Sequence, residues 1–257
     1  MNASLKKNVK LAAIASAFLL AGASSAAMAH PVNNIVLVHG AFVGGSGWRP
    51  VYDILKHDGY KVTLVQEPLT SFPEDVAATK RILDQQTGPA ILVGHSYGGA
   101  IITEAGNDSH VAGLVYIAAH ALDNGETEAI NGKKFPNAAH PFMKTPDGFL
   151  MIAPQNFHSD FAADLSAKQA DFEAQAQMPT SASVFTANIP DPAWKTKPSW
   201  YMVAKADKII NPDLERMYAK RAHSTTVEVA GASHSVYESH PKEVAALIEQ
   251  AAQHALK

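Results

Sequence analysis

Short apolar segments recur along the chain and alternate with segments in which apolar residues follow helical spacing. Six of these segments are predicted to be strands: 34–38, 60–65, 90–93, 111–117, 199–204 and 225–229. An unbroken apolar run such as 34–38 is typical of a strand buried on both faces of a parallel sheet. Helix-start signals at Ser71, Asn211 and Pro241 precede three of the helical segments. We therefore expect an α/β fold, with a doubly wound, mainly parallel sheet covered by helices.

This alternation stops over residues 121–190, the stretch between the fourth and fifth predicted strands. Long segments that interrupt a strand–helix alternation are commonly lids or binding loops. Ser166 and Gln169 form a capping box, and Phe161, Leu165 and Phe172 are predicted to share one helical face. We expect an inserted, mainly helical cap in which most phenylalanines pack on the core and a few line an apolar pocket. Seven of the ten phenylalanines lie in it: Phe135, Phe142, Phe149, Phe157, Phe161, Phe172 and Phe185.

The first 29 residues have the pattern of a cleaved secretory signal peptide. Lys6, Lys7 and Lys10 precede an apolar stretch over 11–21, and Ala27 and Ala29 provide a small-x-small cleavage site. The apolar stretch is shorter than the roughly 20 residues that a membrane-spanning helix needs. The sequence thus predicts export to the periplasm or the medium, with residues 30–257 forming a single domain.

Composition narrows the range of functions. The chain has a formal net charge of −3, which gives no electrostatic argument for binding nucleic acid or a membrane surface. It contains no cysteine, which excludes thiol chemistry and cysteine metal sites. We expect no cofactor and no metal, and a small molecule rather than a macromolecule as the partner. The oligomeric state is left open.

The segment 94–98, Gly-His-Ser-Tyr-Gly, lies between the third predicted strand and a helical segment. This is the G-x-S-x-G pattern in the strand–turn–helix context that places a strained, exposed serine at the end of a strand. Glycines flank the turn because it brings two backbones together where a Cβ would clash. The sequence predicts Ser96 as a nucleophile, against the alternative of an incidental serine in a glycine-rich connection.

A serine nucleophile needs a base, and the base needs a third group to orient it. In a parallel sheet these groups should follow the carboxyl ends of strands. His234 follows the sixth predicted strand and Asp207 the fifth, in the chain order expected for this architecture. With twelve histidines in the chain, only the position of His234 distinguishes it. Asp123, after the fourth strand, is the alternative acid.

An oxyanion hole requires two backbone N–H groups near the nucleophile. We expect one from Tyr97, the residue after Ser96, and the other from the loop after the first strand, with Ala41 as first choice and Phe42 as second. This glycine-rich loop is not a phosphate-binding loop, because no Gly-Lys-Ser/Thr follows it. It also lacks the G-x-G-x-x-G spacing of a dinucleotide site.

Taken together, these motifs resemble those of the α/β-hydrolases, and the resemblance covers essentially all of residues 30–257. The motifs resemble the branch that contains plant methylesterases and hydroxynitrile lyases. They are His-Gly-Ala-Phe-x-x-Gly-x-x-Trp at 39–48, Gly-His-Ser-Tyr-Gly-Gly at 94–99, the aspartate at 207 and Ser-His-Ser at 233–235. That branch implies small esters with an apolar or aromatic acyl part. Its lyases carry threonine in place of Gly40 and lysine in place of Ser235, so both departures favour ester hydrolysis.

The sequence therefore predicts a serine hydrolase that cleaves a carboxylic ester or a lactone through an acyl-enzyme. One alternative is a hydrolase of C–C or C–N bonds, or a lyase, using the same three side chains. Another is a non-catalytic binding protein on the same scaffold, because a fold does not fix a function.

Overall fold

A six-stranded parallel sheet forms the centre of the molecule in the computed structural model, which describes residues 32–256 and Met1. The predicted signal peptide over residues 1–29 lies outside the range 32–256 and stays a prediction. The described strands are β1 Asn34–Val38, β2 Lys61–Leu64, β3 Ala90–Ser96, β4 Val111–Ala119, β5 Met143–Lys144, β6 Phe149–Met151, β7 Thr180–Ser181, β8 Ser199–Ala204 and β9 Thr225–Val229.

The order of strands in the large sheet is β2-β1-β3-β4-β8-β9. Every residue of β1 and β3 is buried, whereas the edge strands β2 and β9 are largely exposed or half-buried. Burial therefore follows the apolar content of each strand, and the most apolar strands occupy the middle. The carboxyl ends of β1, β3, β8 and β9 meet at one edge of the sheet, which is where a ligand site is expected in such folds.

Helices cover both faces of this sheet. They are α1 Arg49–His57, α2 Phe72–Leu83, α3 Gly98–Ala105, α4 Glu128–Lys134, α5 Pro154–Asp160, α6 Ala167–Gln175, α7 Pro212–Arg221, α8 Val236–Ser239 and α9 Pro241–His254. Apolar residues of α1, α8 and α9 form the core on one face, and those of α2, α3 and α7 form the core on the other. The expected fold class, a doubly wound and mainly parallel α/β sheet, is confirmed.

The predicted helix starts are found at the expected residues, with one difference in detail. Asn211 caps α7 by accepting from the Asp213 N–H at 2.9 Å, and Ser166 caps α6. Ser71 occupies the N-cap position of α2, but its hydroxyl donates to the Glu74 carboxylate instead of accepting a backbone N–H.

Between β4 and β8 the chain forms α4, α5 and α6 together with a three-stranded antiparallel sheet of β5, β6 and β7. This small sheet was not expected, because strands of two or three residues are too short to show a hydrophobic period. The prediction that Phe161, Leu165 and Phe172 share a helical face is wrong. Helix α5 ends at Asp160 and α6 begins at Ala167, and Phe172 is 69% exposed.

Among residues 32–256, no helix combines the length and the apolar character that crossing a membrane would require.

Candidate active site

The turn that follows β3 holds Ser96 in a backbone conformation that side chains rarely adopt. Its φ is +54°, and α3 begins two residues later at Gly98. A Cβ on Gly94 would lie 2.5 Å from the Gly98 carbonyl oxygen, and one on Gly98 would lie 2.5 Å from that of His39. Only glycine fits at either position, so the predicted strained strand–turn–helix connection is confirmed.

The structure brings Ser96 and His234 together, although 138 positions separate them in the chain. The Ser96 Oγ lies 2.8 Å from Nε2 of His234, and Nδ1 of His234 lies 2.5 Å from Oδ2 of Asp207. All three residues are buried. Because the Asp207 carboxylate only accepts, Nδ1 carries the proton and Nε2 is left to accept from the Ser96 hydroxyl. This hydrogen-bonded chain can draw a proton from Ser96.

The carboxyl group of Asp207 is fixed by the backbone that follows it. Its Oδ1 accepts from the N–H groups of Ile209 at 2.7 Å and Ile210 at 3.0 Å, which leaves Oδ2 for His234. The alternative acid, Asp123, is partly exposed and pairs with Nζ of Lys195 at 2.5 Å. Asp207, rather than Asp123, is the acid in contact with His234.

Residues from distant segments hold the loop that carries His234. The Phe161 carbonyl accepts from the Ser235 N–H at 3.0 Å, and the Phe161 ring packs edge-on to the His234 ring with centroids 4.7 Å apart. Nε2 of His95 donates to the His234 carbonyl at 2.9 Å. Burial and the neighbouring His234 keep the pKa of His95 well below its usual value, so its ring is neutral. No local sequence pattern indicates these contacts, because they join residues far apart in the chain.

Two backbone N–H groups near Ser96 are free to bind an oxyanion. Within residues 32–256, no acceptor bonds to the N–H of Ala41 or to that of Tyr97. The N–H of Phe42, the second choice, donates to Oγ1 of Thr180 at 2.9 Å. A Cβ on Gly40 would lie 2.7 Å from the Ser96 Cβ, so the absence of a side chain lets this loop approach the serine. The geometry thus favours the Ala41 and Tyr97 pair.

A buried carboxylate supports Tyr97 from behind. The Tyr97 hydroxyl donates to Oδ2 of Asp75 at 2.6 Å, and Oδ1 of Asp75 accepts from the Leu69 N–H at 2.8 Å. Burial raises the pKa of Asp75 to about 6, so the group is still ionised at neutral pH and can accept both bonds. Asp75 anchors the side chain of the residue that supplies one free N–H. Its position inside α2 gave no signal in the sequence.

A cavity of about 230 Å³ adjoins Ser96. Three of the seven cap-segment phenylalanines line it, whereas Phe157 and Phe161 are buried in the core. The lining is mostly apolar and contains no lysine or arginine. The lining includes Ala41, Phe42, Ser96, His120, Glu128, Phe135, Phe142, Phe185, Ile209, Ile210 and Leu214.

No group of three or more His, Asp or Glu side chains in the described part of the chain is arranged to hold a metal ion.

Comparison with known proteins identifies the family. The family model described as "Alpha/beta hydrolase family" matches residues 35–247, which is most of the chain. The protein belongs to the alpha/beta hydrolase family. The resemblance seen in the sequence motifs is thereby confirmed.

Proteins that are similar to this chain include a plant and a bacterial protein. A putative chloroplastic methylesterase of Arabidopsis thaliana is 30% identical over 118 residues, a match that covers 37% of this chain and 28% of that protein. A pyrethroid hydrolase of Sphingobium wenxiniae is 26% identical over 249 residues, which covers 84% of this chain and 86% of that protein.

The fold also agrees with a solved structure. A methylesterase from Arabidopsis superposes with a TM-score of 0.72 at 18% identity, over 86% of this chain and 98% of the other. At this level of identity the likeness concerns the fold.

Proposed function

We propose that this protein is a serine hydrolase that cleaves a small carboxylic ester or lactone with an apolar or aromatic acyl part. The observation that carries the proposal is the hydrogen-bonded chain from Ser96 through His234 to Asp207, which begins at the wall of an apolar cavity. The names of the similar proteins, a methylesterase and a pyrethroid hydrolase, support hydrolysis as the reaction class.

In the first half of the reaction, the Ser96 oxygen attacks the ester carbonyl carbon while Nε2 of His234 takes the hydroxyl proton. Asp207 holds the imidazole in the required tautomer and stabilises the imidazolium that forms. The bond to the alcohol oxygen then breaks, and His234 passes its proton to the departing alcohol. The product of this half is an acyl ester on Ser96.

In the second half, water attacks the acyl ester and gives its proton to Nε2 of His234. The Ser96 oxygen leaves and regains that proton, which releases the carboxylic acid and restores the starting state. In both halves the negative charge on the carbonyl oxygen is stabilised by the N–H groups of Ala41 and Tyr97. Preorganised donors of this kind often make the largest single contribution to catalysis.

The lining of the cavity supports the proposal that the substrate is uncharged. Aromatic rings of Phe42, Phe142 and Phe185 pack together there, with Phe42 lying 4.9 Å from Phe142 and 6.0 Å from Phe185 between centroids. Without a lysine or arginine in the lining, an acyl group that carries a free carboxylate would be buried unpaired, which is costly.

Two residues favour hydrolysis over the lyase alternative. A threonine at position 40 would have its Cβ 2.7 Å from that of Ser96, closer than side chains pack. Ser235, in the position of the lyase lysine, is buried and supplies no charge.

Replacement of the proposed nucleophile tests this function. Ser96→Ala should lower kcat for p-nitrophenyl butyrate by roughly 10³-fold or more, with unchanged circular dichroism. The matched control is Ser166→Ala, which removes the hydroxyl that caps α6 and should leave kcat within about twofold of the wild type. Retention of more than about a tenth of the wild-type turnover by Ser96→Ala would refute the assignment.

A further inference from the structure

Two polar residues interrupt the apolar wall of the cavity, and the proposed reaction uses neither of them. His120 directly follows β4, and Glu128 is the first residue of α4. Both line the cavity beside Ser96, and each is only 8% exposed. Polar side chains buried to this degree are normally hydrogen-bonded. A buried polar atom without a partner at such a site therefore needs an explanation.

The hydrogen bonds behind His120 favour one tautomer of its ring. Nδ2 of Asn131 donates to the Tyr218 oxygen at 3.0 Å, so the Tyr218 hydroxyl proton is available to Nδ1 of His120 at 3.2 Å. Burial, and to a lesser extent His234, lower the pKa of His120 to about 3, which keeps the ring neutral. Nδ1 therefore accepts, and Nε2 carries the single ring proton.

That proton lies beside the carboxyl group of Glu128 without making a hydrogen bond to it. Nε2 of His120 is 3.3 Å from Oε2 of Glu128, and Oε1 likewise has no hydrogen-bond partner within residues 32–256. Burial raises the pKa of Glu128 well above its usual range, which favours the protonated carboxyl. A neutral carboxylic acid has one O–H to donate and one oxygen to accept.

We propose that Glu128, which lies beside His120, is a subsite that hydrogen-bonds an uncharged polar group, such as a ketone, ether or hydroxyl oxygen, on the ester that Ser96 cleaves. The inference rests on the proposed function. The substrate is then an ester that is apolar over most of its surface and carries one oxygen function apart from the scissile bond. The Glu128 carboxyl makes no hydrogen bond within residues 32–256. A substrate oxygen that bonds to it pairs a group that a plain hydrocarbon leaves unpaired, which is a strong source of selectivity.

Two pairs of esters, matched in length, test the subsite from either side of the scissile bond. In the first pair, methyl 5-oxohexanoate is compared with methyl hexanoate. In the second, 4-oxopentyl butyrate is compared with pentyl butyrate. For at least one pair, Glu128→Leu should lower kcat/KM of the keto ester about tenfold relative to that of the hydrocarbon ester.

Two further variants show whether the effect is specific. Glu128→Gln keeps an N–H donor and should retain the keto preference within about threefold. Glu243→Leu changes an exposed glutamate on α9 and should leave both rates unchanged. Equal losses for both members of each pair in Glu128→Leu would make Glu128 a purely structural residue and overturn the proposal. A preference for methyl 6-aminohexanoate over all four esters would mean a cation site and would also overturn it.

A binding measurement separates this proposal from the proposed function. The imidazole nitrogen resonances of His120 should shift on addition of 2-heptanone to the wild type and should not shift in Glu128→Leu. If no ester is turned over but this shift is seen, hydrolysis is wrong and the subsite stands. If esters are turned over but the resonances do not move, the subsite is wrong.

Discussion

At the scale of single residues, the site depends on a strained serine. A non-glycine residue with the φ of Ser96 costs on the order of 1–3 kcal/mol, and such strain persists only where the surroundings impose it. Here the close approaches at Gly94 and Gly98 impose it. The resulting turn places Oγ 2.8 Å from Nε2 of His234. In return for this strain, the Ser96 hydroxyl already lies within hydrogen-bond distance of its base and needs no rearrangement to reach it.

Replacement of Asp207 tests whether its carboxylate orients the His234 ring. Asp207→Asn should lower ester kcat about 10⁴-fold, because an amide at that position favours the wrong histidine tautomer. Asp123→Asn is the matched control and should be nearly silent, since Asp123 pairs with Lys195 instead. The measurement is kcat of both variants on a p-nitrophenyl ester. A large loss in Asp123→Asn with little change in Asp207→Asn would make Asp123 the acid and contradict the assignment.

A site residue could be predicted from the sequence only where its place along the chain marks it. Ser96, Asp207 and His234 could be found because each lies at or shortly after the carboxyl end of a strand. His120 follows β4 in the same way, so the same rule would have found it. His95, Asp75 and Phe161 act through contacts with distant segments, and such contacts leave no local pattern.

At the scale of elements, prediction succeeded where an element has enough residues to show a period or a capping signal. Strands β8 and β9 have the predicted bounds, and helix α2 begins after Ser71 as expected. The small sheet of β5, β6 and β7 has no such signal. It is held by pairing with its neighbours, and the backbone bridge between Phe42 and Met178 joins this part of the chain to the oxyanion loop.

At the scale of the whole molecule, acidic side chains of the segment between β4 and β8 lie near Glu238 of the core. They are Asp164 and Glu173. Burial, followed by the charges of Glu173 and Asp164, raises the pKa of Glu238 to about 8. Glu173 lies on α6 of that segment, whereas Glu238 lies on α8 beside the His234 loop. The folded protein therefore holds a proton on Glu238 at a pH where the unfolded chain has released it.

This linkage predicts a pH-dependent loss of stability. A carboxyl whose pKa is raised on folding makes its full contribution below the unfolded pKa and loses it as the pH rises toward the folded pKa. The Tm of Glu238→Gln minus that of the wild type should therefore grow between about pH 5 and pH 8. We expect a gain of at least about 2–4 °C, the shift that 1 kcal/mol gives in a domain of this size.

Calorimetry across this pH range measures the difference. The control is Glu243→Gln, which replaces an exposed carboxyl on α9 and should show no comparable gain. A Tm difference for Glu238→Gln that is constant with pH would contradict the assigned linkage.

The central claim is that the chain from Asp207 through His234 activates Ser96 as a nucleophile. The most direct measurement is the reaction of the folded protein with a fluorophosphonate, which forms a bond to an activated serine oxygen and releases fluoride. Intact mass followed by peptide mapping should find one adduct, on Ser96, and none in Ser96→Ala or after unfolding. An adduct on another residue, or no adduct in a preparation that hydrolyses esters, would contradict the account.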